Sequence, residues 1–206
     1  MKVLAALLII AVIAVPTTSG VSAQLQDPGI GVAAPAFTLP DTYGNDHSLS
    51  DYSGKWVVLE WLNYGCPFVQ KHYGSGGMQK LQSDYGGKGV VWLSVVSSAP
   101  GSQGYYEPDE MNTMNREQGN RAAAVLLDPE GTVGKAFGAK TTPQMYVINP
   151  DGVLLYNGAI DNMPTTRLSD IDGATNYLVL ALEEAMAGRE VSQPTTQPYG
   201  CSVKYK

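Results

Sequence analysis

The chain carries two cysteines, Cys66 and Cys201. Cys66 stands in "WLNYGCPF", after an apolar run and directly before Pro67. The run reads as a buried strand, and a proline directly after the cysteine suits the first turn of a helix, where no N–H partner is needed. Cys66 is therefore expected at a strand-to-helix junction. Unpartnered backbone N–H groups and the positive end of the helix dipole lie there, and both favour an anion. A thiolate is such an anion, and thiol pKa values fall at helix N-termini. Thiolates attack disulfides and peroxides. The bland alternative is a buried, inert cysteine acting as a small hydrophobe. Cys201 lies almost at the C-terminus, and two cysteines allow one intramolecular pairing.

The elements that would hold Cys66 in place can be read on either side of it. "PAFTLPD", 35–41, alternates around Phe37 and Leu39 and reads as a short edge strand bounded by prolines. "WVVLEWL", 56–62, is a nearly continuous apolar run interrupted by Glu60. The helix after Cys66 stutters at "GSGG", 74–77, and resumes as "MQKLQSDY". "GVVWLSVV", 89–96, is the next buried strand, and 97–106 is a loop. A helix over 107–120, a strand over 122–128 and a short helix over 130–139 follow. "QMYVINPDGVLLYNGAI", 144–160, is a hairpin turning at Pro-Asp-Gly. An amphipathic helix over 173–188 closes the fold, before a proline-punctuated tail. Helices separate the early strands, which makes those pairs parallel, and the hairpin must be antiparallel. The fold class is α/β, a mixed sheet with helices on both faces.

With that order in place, the segment "PAFTLPDTYGNDHSLSDYSGKWVVLEWLNYGCPF" resembles the opening of the redoxin branch of the thioredoxin-like superfamily, related to alkyl hydroperoxide reductase and thiol-specific antioxidant proteins. "KTTPQMYVINPDG", 140–152, resembles the second landmark of that superfamily. The ending "PYGCSVKY", 198–205, resembles the tail of an exported thioredoxin-like subgroup. The resemblance implies a cis bond between Thr142 and Pro143, facing Cys66. Proline lacks an N–H, so the backbone edge there would be left to pair with a substrate strand.

Departures from the pattern narrow the chemistry. The position three after Cys66 is Val69, so a local Cys-x-x-Cys bridge cannot form. Leu59 and Asn63 stand where peroxiredoxins carry a proline and a hydroxyl residue, and asparagine is a partial substitute as donor to a peroxide oxygen. The expected activity is therefore thiol–disulfide oxidoreduction. Cys66 is the expected nucleophile and Cys201 the expected resolving cysteine, with Thr142, Pro143, Pro67 and Glu60 shaping the site. Gly188 to Gly200 could span about 40 Å when extended, enough for a mobile tail to reach. Two alternatives stay open. One is a peroxiredoxin-like peroxidase using the same cysteines. The other is a noncatalytic module in which a static Cys66–Cys201 bridge pins the tail and adds roughly 4–5 kcal/mol of stability. The implied partners are client protein thiols or disulfides, or peroxide, and an unidentified thiol reductant.

Other candidate residues carry less. His72 and Lys71 fall partly off the Cys66 face of the helix, which predicts solvent exposure. A copper site from Cys66, His72 and a methionine would want a second nearby cysteine, so no metal and no cofactor is expected. Glu60 either moves protons beneath Cys66 or is a salt-bridged strand-end glutamate. His47 is expected to be exposed. The acidic loop from Asp161 to Asp172 lacks an EF-hand layout.

Bulk properties set the surroundings. The chain has 206 residues and a net charge of −6, with no basic patch, which argues against nonspecific nucleic-acid binding. Lys2 followed by the apolar run Val3 to Val15, then small residues at 21 and 23, has the layout of a secretory signal peptide cleaved before Gln24. The run is short for a membrane span, so no stable membrane anchor is expected. Removal of residues 1–23 would take one lysine and leave a net charge of −7. The expected organisation is a signal peptide over 1–23, a lead-in over 24–34, a thioredoxin-like domain over 35–190 and a tail over 191–206. The protein is expected to be exported, to the periplasm or outside the cell.

Overall fold

The computed structural model describes residues 28–206. The expected signal peptide and cleavage site lie outside the described residues. Among the described residues the strands are β1 (Thr38–Pro40), β2 (Asp46–Ser48), β3 (Val57–Trp61), β4 (Val91–Val96), β5 (Ala124–Leu127), β6 (Thr141–Thr142), β7 (Gln144–Ile148), β8 (Leu154–Gly158) and β9 (Cys201–Ser202). The helices are α1 (Pro67–Gly74), α2 (Gly77–Gly87), α3 (Pro108–Glu117), α4 (Thr132–Ala136) and α5 (Tyr177–Met186).

The central sheet runs β5-β4-β3-β7-β8. β3 pairs in parallel with β4, and β4 with β5, as helical crossovers require. β7 lies antiparallel to both β3 and β8, so the hairpin is where the sequence places it. Gly152 turns it at a φ of +77°, a conformation that L side chains rarely adopt. β1 does not extend this sheet. It pairs with β2 in a separate two-stranded ribbon. The lead-in is tied down as well, by hydrogen bonds between Gly31, Val32 and Leu154 and between Ala34 and Gly152.

Alternation along β3 sorts the core into two layers. Val58 and Leu62 face α1, α2 and α5, where they join Val69, Tyr73, Met78, Leu178 and Leu182. Val57, Leu59 and Trp61 face the opposite layer with Phe37, Val133, Phe137 and Tyr146. Helices therefore cover both faces of a mixed sheet, the predicted fold class. Burying a side chain such as Leu59 or Phe137 contributes about 1.5–3 kcal/mol. Polar links cross the second layer. Trp61 donates to Ser97 Oγ at 3.1 Å, and Ser97 donates to Asp128 at 2.6 Å. Asp128 accepts the Gly134 N–H of α4 at 2.9 Å.

The stutter after Cys66 is a real break. α1 ends at Gly74 and α2 starts at Gly77, with Gly76 at a φ of +76° between them. The tail departs from the reading as a mobile arm. The Asn157 N–H donates to the Pro194 carbonyl at 3.0 Å, and the Ala159 N–H to Thr196 Oγ1 at 2.9 Å. Tyr205 donates to the Ala139 carbonyl at 2.7 Å, and Lys206 pairs with Glu130. Glycines make the seat. A Cβ on Gly158 would fall 2.1 Å from Thr196 Oγ1, and one on Gly134 would fall 2.4 Å from the Tyr205 hydroxyl.

Candidate active site

After β3 the chain turns through Asn63, Tyr64 and Gly65 into α1. The Gly65 N–H donates to Asn63 Oδ1 at 2.8 Å, and Asn63 Nδ2 donates to the Gln103 carbonyl at 3.3 Å. Gln103 Nε2 donates to the Gly65 carbonyl at 2.8 Å. The Asn63 side chain thus braces this turn through its amide oxygen and one of its two amide hydrogens.

Cys66 is the N-cap of α1, with extended backbone angles, and Pro67 is its first residue. The strand–cysteine–helix junction is as the sequence predicts. The sulfur is fully buried. It donates a hydrogen bond to the Thr142 carbonyl at 3.0 Å. The Thr142–Pro143 peptide is cis, as the resemblance implied.

The edge beside Pro143 is already occupied. Thr141 and Thr142 pair in antiparallel register with Ser202 and Cys201. The strand expected to await a substrate holds the chain's own tail, and Cys201 sits opposite the residue whose carbonyl binds Cys66. Both cysteines are free thiols. Burial pushes the Cys66 thiol up, but hydrogen bonding from the Cys201 thiol and backbone, the Val69 N–H of α1 and Thr142 outweighs it and holds it below its ordinary value. The neutral sulfur makes no capping hydrogen bond to the helix, so the helix end acts on the charged form. Burial and the adjacent Cys66 push Cys201 the other way, to about 11. The two shifts favour the thiolate at Cys66 and the thiol at Cys201.

Glu60 is fully buried and faces α1 and α2. Trp92 donates to its Oε2 at 2.9 Å, Ser94 and Gln82 at 3.2 Å, and Tyr73 of α1 at 3.3 Å. Its Oε1 has no partner. Burial lifts the carboxyl to about 7, against the pull of those donors. The salt-bridged strand-end reading is overturned: Glu60 lies within β3, between Ser94 and Met145, and its partners are neutral.

Lys71 and His72 are buried, not exposed. Lys71 Nζ donates to the Met163 carbonyl at 2.8 Å and lies 3.6 Å from Asp161 Oδ2. His72 Nε2 is 3.3 Å from the Tyr199 hydroxyl. Burial lowers His72 to about 4, against the pull of Asp161. Tyr199 donates to Asp161 Oδ1. The helical spacing was sound, but the tail covers the face it leaves open. His47 is half-buried rather than exposed, 3.1 Å from Asp41. Sequence reasoning missed Asp161 and Tyr199. The only signal was the position of Tyr199, two residues before Cys201 in "PYGCSVKY".

A family model for AhpC/TSA proteins matches residues 30–157. The chain belongs to the AhpC/TSA family. It is a thioredoxin-like redoxin and an oxidoreductase. A Mycobacterium tuberculosis protein with a provisional peroxiredoxin name is 33% identical over 135 residues, covering 64% of this chain and 77% of that one. The thiol-disulfide oxidoreductase ResA of Geobacillus thermodenitrificans is 27% identical over 124 residues, covering 60% of this chain and 65% of the relative. A hypothetical protein from Sinorhizobium meliloti shares the fold at a TM-score of 0.73, with 22% identity, covering 88% of this chain and 97% of that one. The matched family region ends before the tail, so the family does not account for Cys201. Among the described residues no helix is long and apolar enough to cross a membrane.

Proposed function

We propose that the protein is an exported thiol–disulfide oxidoreductase in which Cys66 attacks and Cys201 resolves. The observation that carries this reading is the meeting of both thiols at Thr142, with their proton affinities pushed apart. The Cys66 thiolate attacks one sulfur of a client disulfide. That S–S bond breaks, the other client sulfur leaves as a thiolate and takes a proton, and Cys66 is held in a mixed disulfide. Part of the upward shift on Cys201 comes from the hydrogen bond and charge of Cys66. That part disappears once Cys66 is bonded, so Cys201 ionises more readily at the moment it is needed. Its thiolate attacks the Cys66 sulfur, the Cys66–Cys201 bond forms, and the client leaves as its second thiol. The client gains two electrons and the protein loses two. A thiol reductant restores the pair, and the same steps in reverse oxidise a client dithiol. Glu60 would shape the site through Tyr73 on α1, and Pro67 and Pro143 through the backbone they set.

Export to the periplasm or beyond belongs to this proposal. It is supported by the apolar run and small residues within residues 1–23, and an oxidising compartment is where such a bridge persists.

One observation favours a second reading, peroxide reduction. Cys66 is fully buried with the tail docked, and a hydroperoxide reaches such a sulfur more readily than a protein strand does. The thiolate would then attack the peroxide, the O–O bond would break, and an alcohol or water would leave. Cys201 would displace water from the sulfenic acid to form the same bridge.

The deciding experiment uses a Cys201→Ser variant. With a disulfide-bonded client peptide it should accumulate a Cys66 mixed disulfide, visible by nonreducing mass spectrometry. Hydrogen peroxide consumed faster than by a free thiol would instead favour the peroxidase. A Cys66 inert to both would overturn both readings.

A further inference from the structure

Tyr199, two residues before Cys201, enters the body of the protein from the tail. Its hydroxyl donates to Asp161 Oδ1 and lies 3.3 Å from both Lys71 Nζ and His72 Nε2. Its ring takes the edge of Phe68 at 5.7 Å between centroids, and Lys71 Nζ sits 5.3 Å from its centre. Phe68, Lys71 and His72 all belong to α1, whose N-cap is Cys66. Asp161 is itself fixed, because it accepts the Met163 N–H at 2.9 Å and bridges to Asn176. The helix that primes Cys66 thus also carries the socket for the residue next to Cys201.

Gly200 joins the socket to the strand. Its φ is +136°, and a Cβ there would fall 2.0 Å from the Thr142 carbonyl oxygen. No other residue lets the tail approach this edge so closely. The socket is also balanced rather than irreversible. Lys71 and Asp161 are both buried where Tyr199 packs, and removing two charges from water opposes the gain from their pairing.

We propose that Tyr199 is a positioning residue: seated in the Lys71–His72–Asp161 socket, it fixes the tail on the Thr142 edge, delivering Cys201 to Cys66 and keeping a client strand off that edge. This rests on the reading of Cys201 as the resolving cysteine. In the reduced protein the tail acts as an internal occupant of the client position. A client strand gains the edge only when Tyr199 leaves its socket, whereas a small disulfide needs much less opening.

The test follows the two steps separately in the full chain, with oxidised glutathione as probe. Glutathione mixed disulfide on Cys66 reports attack, and the Cys66–Cys201 bridge reports resolution. Tyr199→Phe keeps the ring and removes the hydroxyl. Attack, corrected for the Cys66 thiolate fraction read by alkylation against pH, should stay as fast as in the parent chain or become faster, and resolution should slow at least fivefold. Gly200→Ala, which leaves the socket untouched, should show the same split. It keeps the question open to test should Tyr199→Phe fail to fold. A merely structural role would lower both steps together or neither. Resolution within twofold of the parent chain in both variants would overturn the proposal and leave the resolving role of Cys201 standing. A parent chain in which Cys66 reacts but no bridge to Cys201 forms would overturn both.

Discussion

Cys201 faces Thr142 across the short ladder between β9 and β6, and the Thr142 carbonyl accepts the Cys66 thiol at 3.0 Å. One backbone residue thus accepts one thiol and pairs with the residue that carries the other, 135 positions away in the chain. The edge that would receive an extended substrate is filled by the segment that carries the second cysteine.

The ionisation of Cys66 depends on that neighbour. In a Cys201→Ala variant the hydrogen bond that favours the thiolate is lost, so the Cys66 pKa should rise. The rate of alkylation by iodoacetamide against pH gives the midpoint directly. An unchanged midpoint would mean that the helix N-terminus alone sets it.

Glu60 should impose a pH dependence on stability. Its folded pKa of about 7 lies above the unfolded value of 4.5, so the folded state binds the proton more tightly. Its contribution is fully favourable below pH 4.5 and is lost as the pH rises through 7. The loss amounts to about 3 kcal/mol for a fully buried group. Glu60→Gln keeps the shape and removes the charge. Urea unfolding at about pH 5 and pH 8 should show the variant gaining on the parent chain at the higher pH. An equal difference at both pH values would contradict the shift.

The tail's seat at Gly158 can be tested apart from the cysteines. Alanine there would bring a Cβ to 2.1 Å from Thr196 Oγ1 and 2.8 Å from its backbone nitrogen. The expected cost is about 1–3 kcal/mol, and it should appear as faster proteolysis within the tail while the central sheet stays protected. Cleavage no faster than in the parent chain would mean the tail is not held there.

Much of this site was legible in the sequence because its signals are local. A strand pattern running into Cys66 and Pro67 places a thiol at a helix start, and alternation in "WVVLEWL" puts Glu60 on the face that α1 covers. The hairpin turn at Pro-Asp-Gly is equally local. What stayed hidden depends on partners far along the chain. Lys71 and His72 sit on a helix face that would be open without the tail, and the acid that pairs with them is 90 positions from Lys71. β6 and β9 have two residues each, too few to show any period. The length of the tail suggested room to move, whereas its contacts are made by single residues placed over glycines at Gly158, Gly134 and Gly131.

The most direct measurement takes the reduced full-length protein, adds one equivalent of oxidised glutathione, and follows Cys66 and Cys201 by nonreducing peptide mass spectrometry against a free cysteine control. The account predicts that Cys66 reacts faster than the control and that a transient Cys66–glutathione species gives way to the Cys66–Cys201 bridge. A Cys66 that reacts no faster than the control, with no bridge formed, would contradict it.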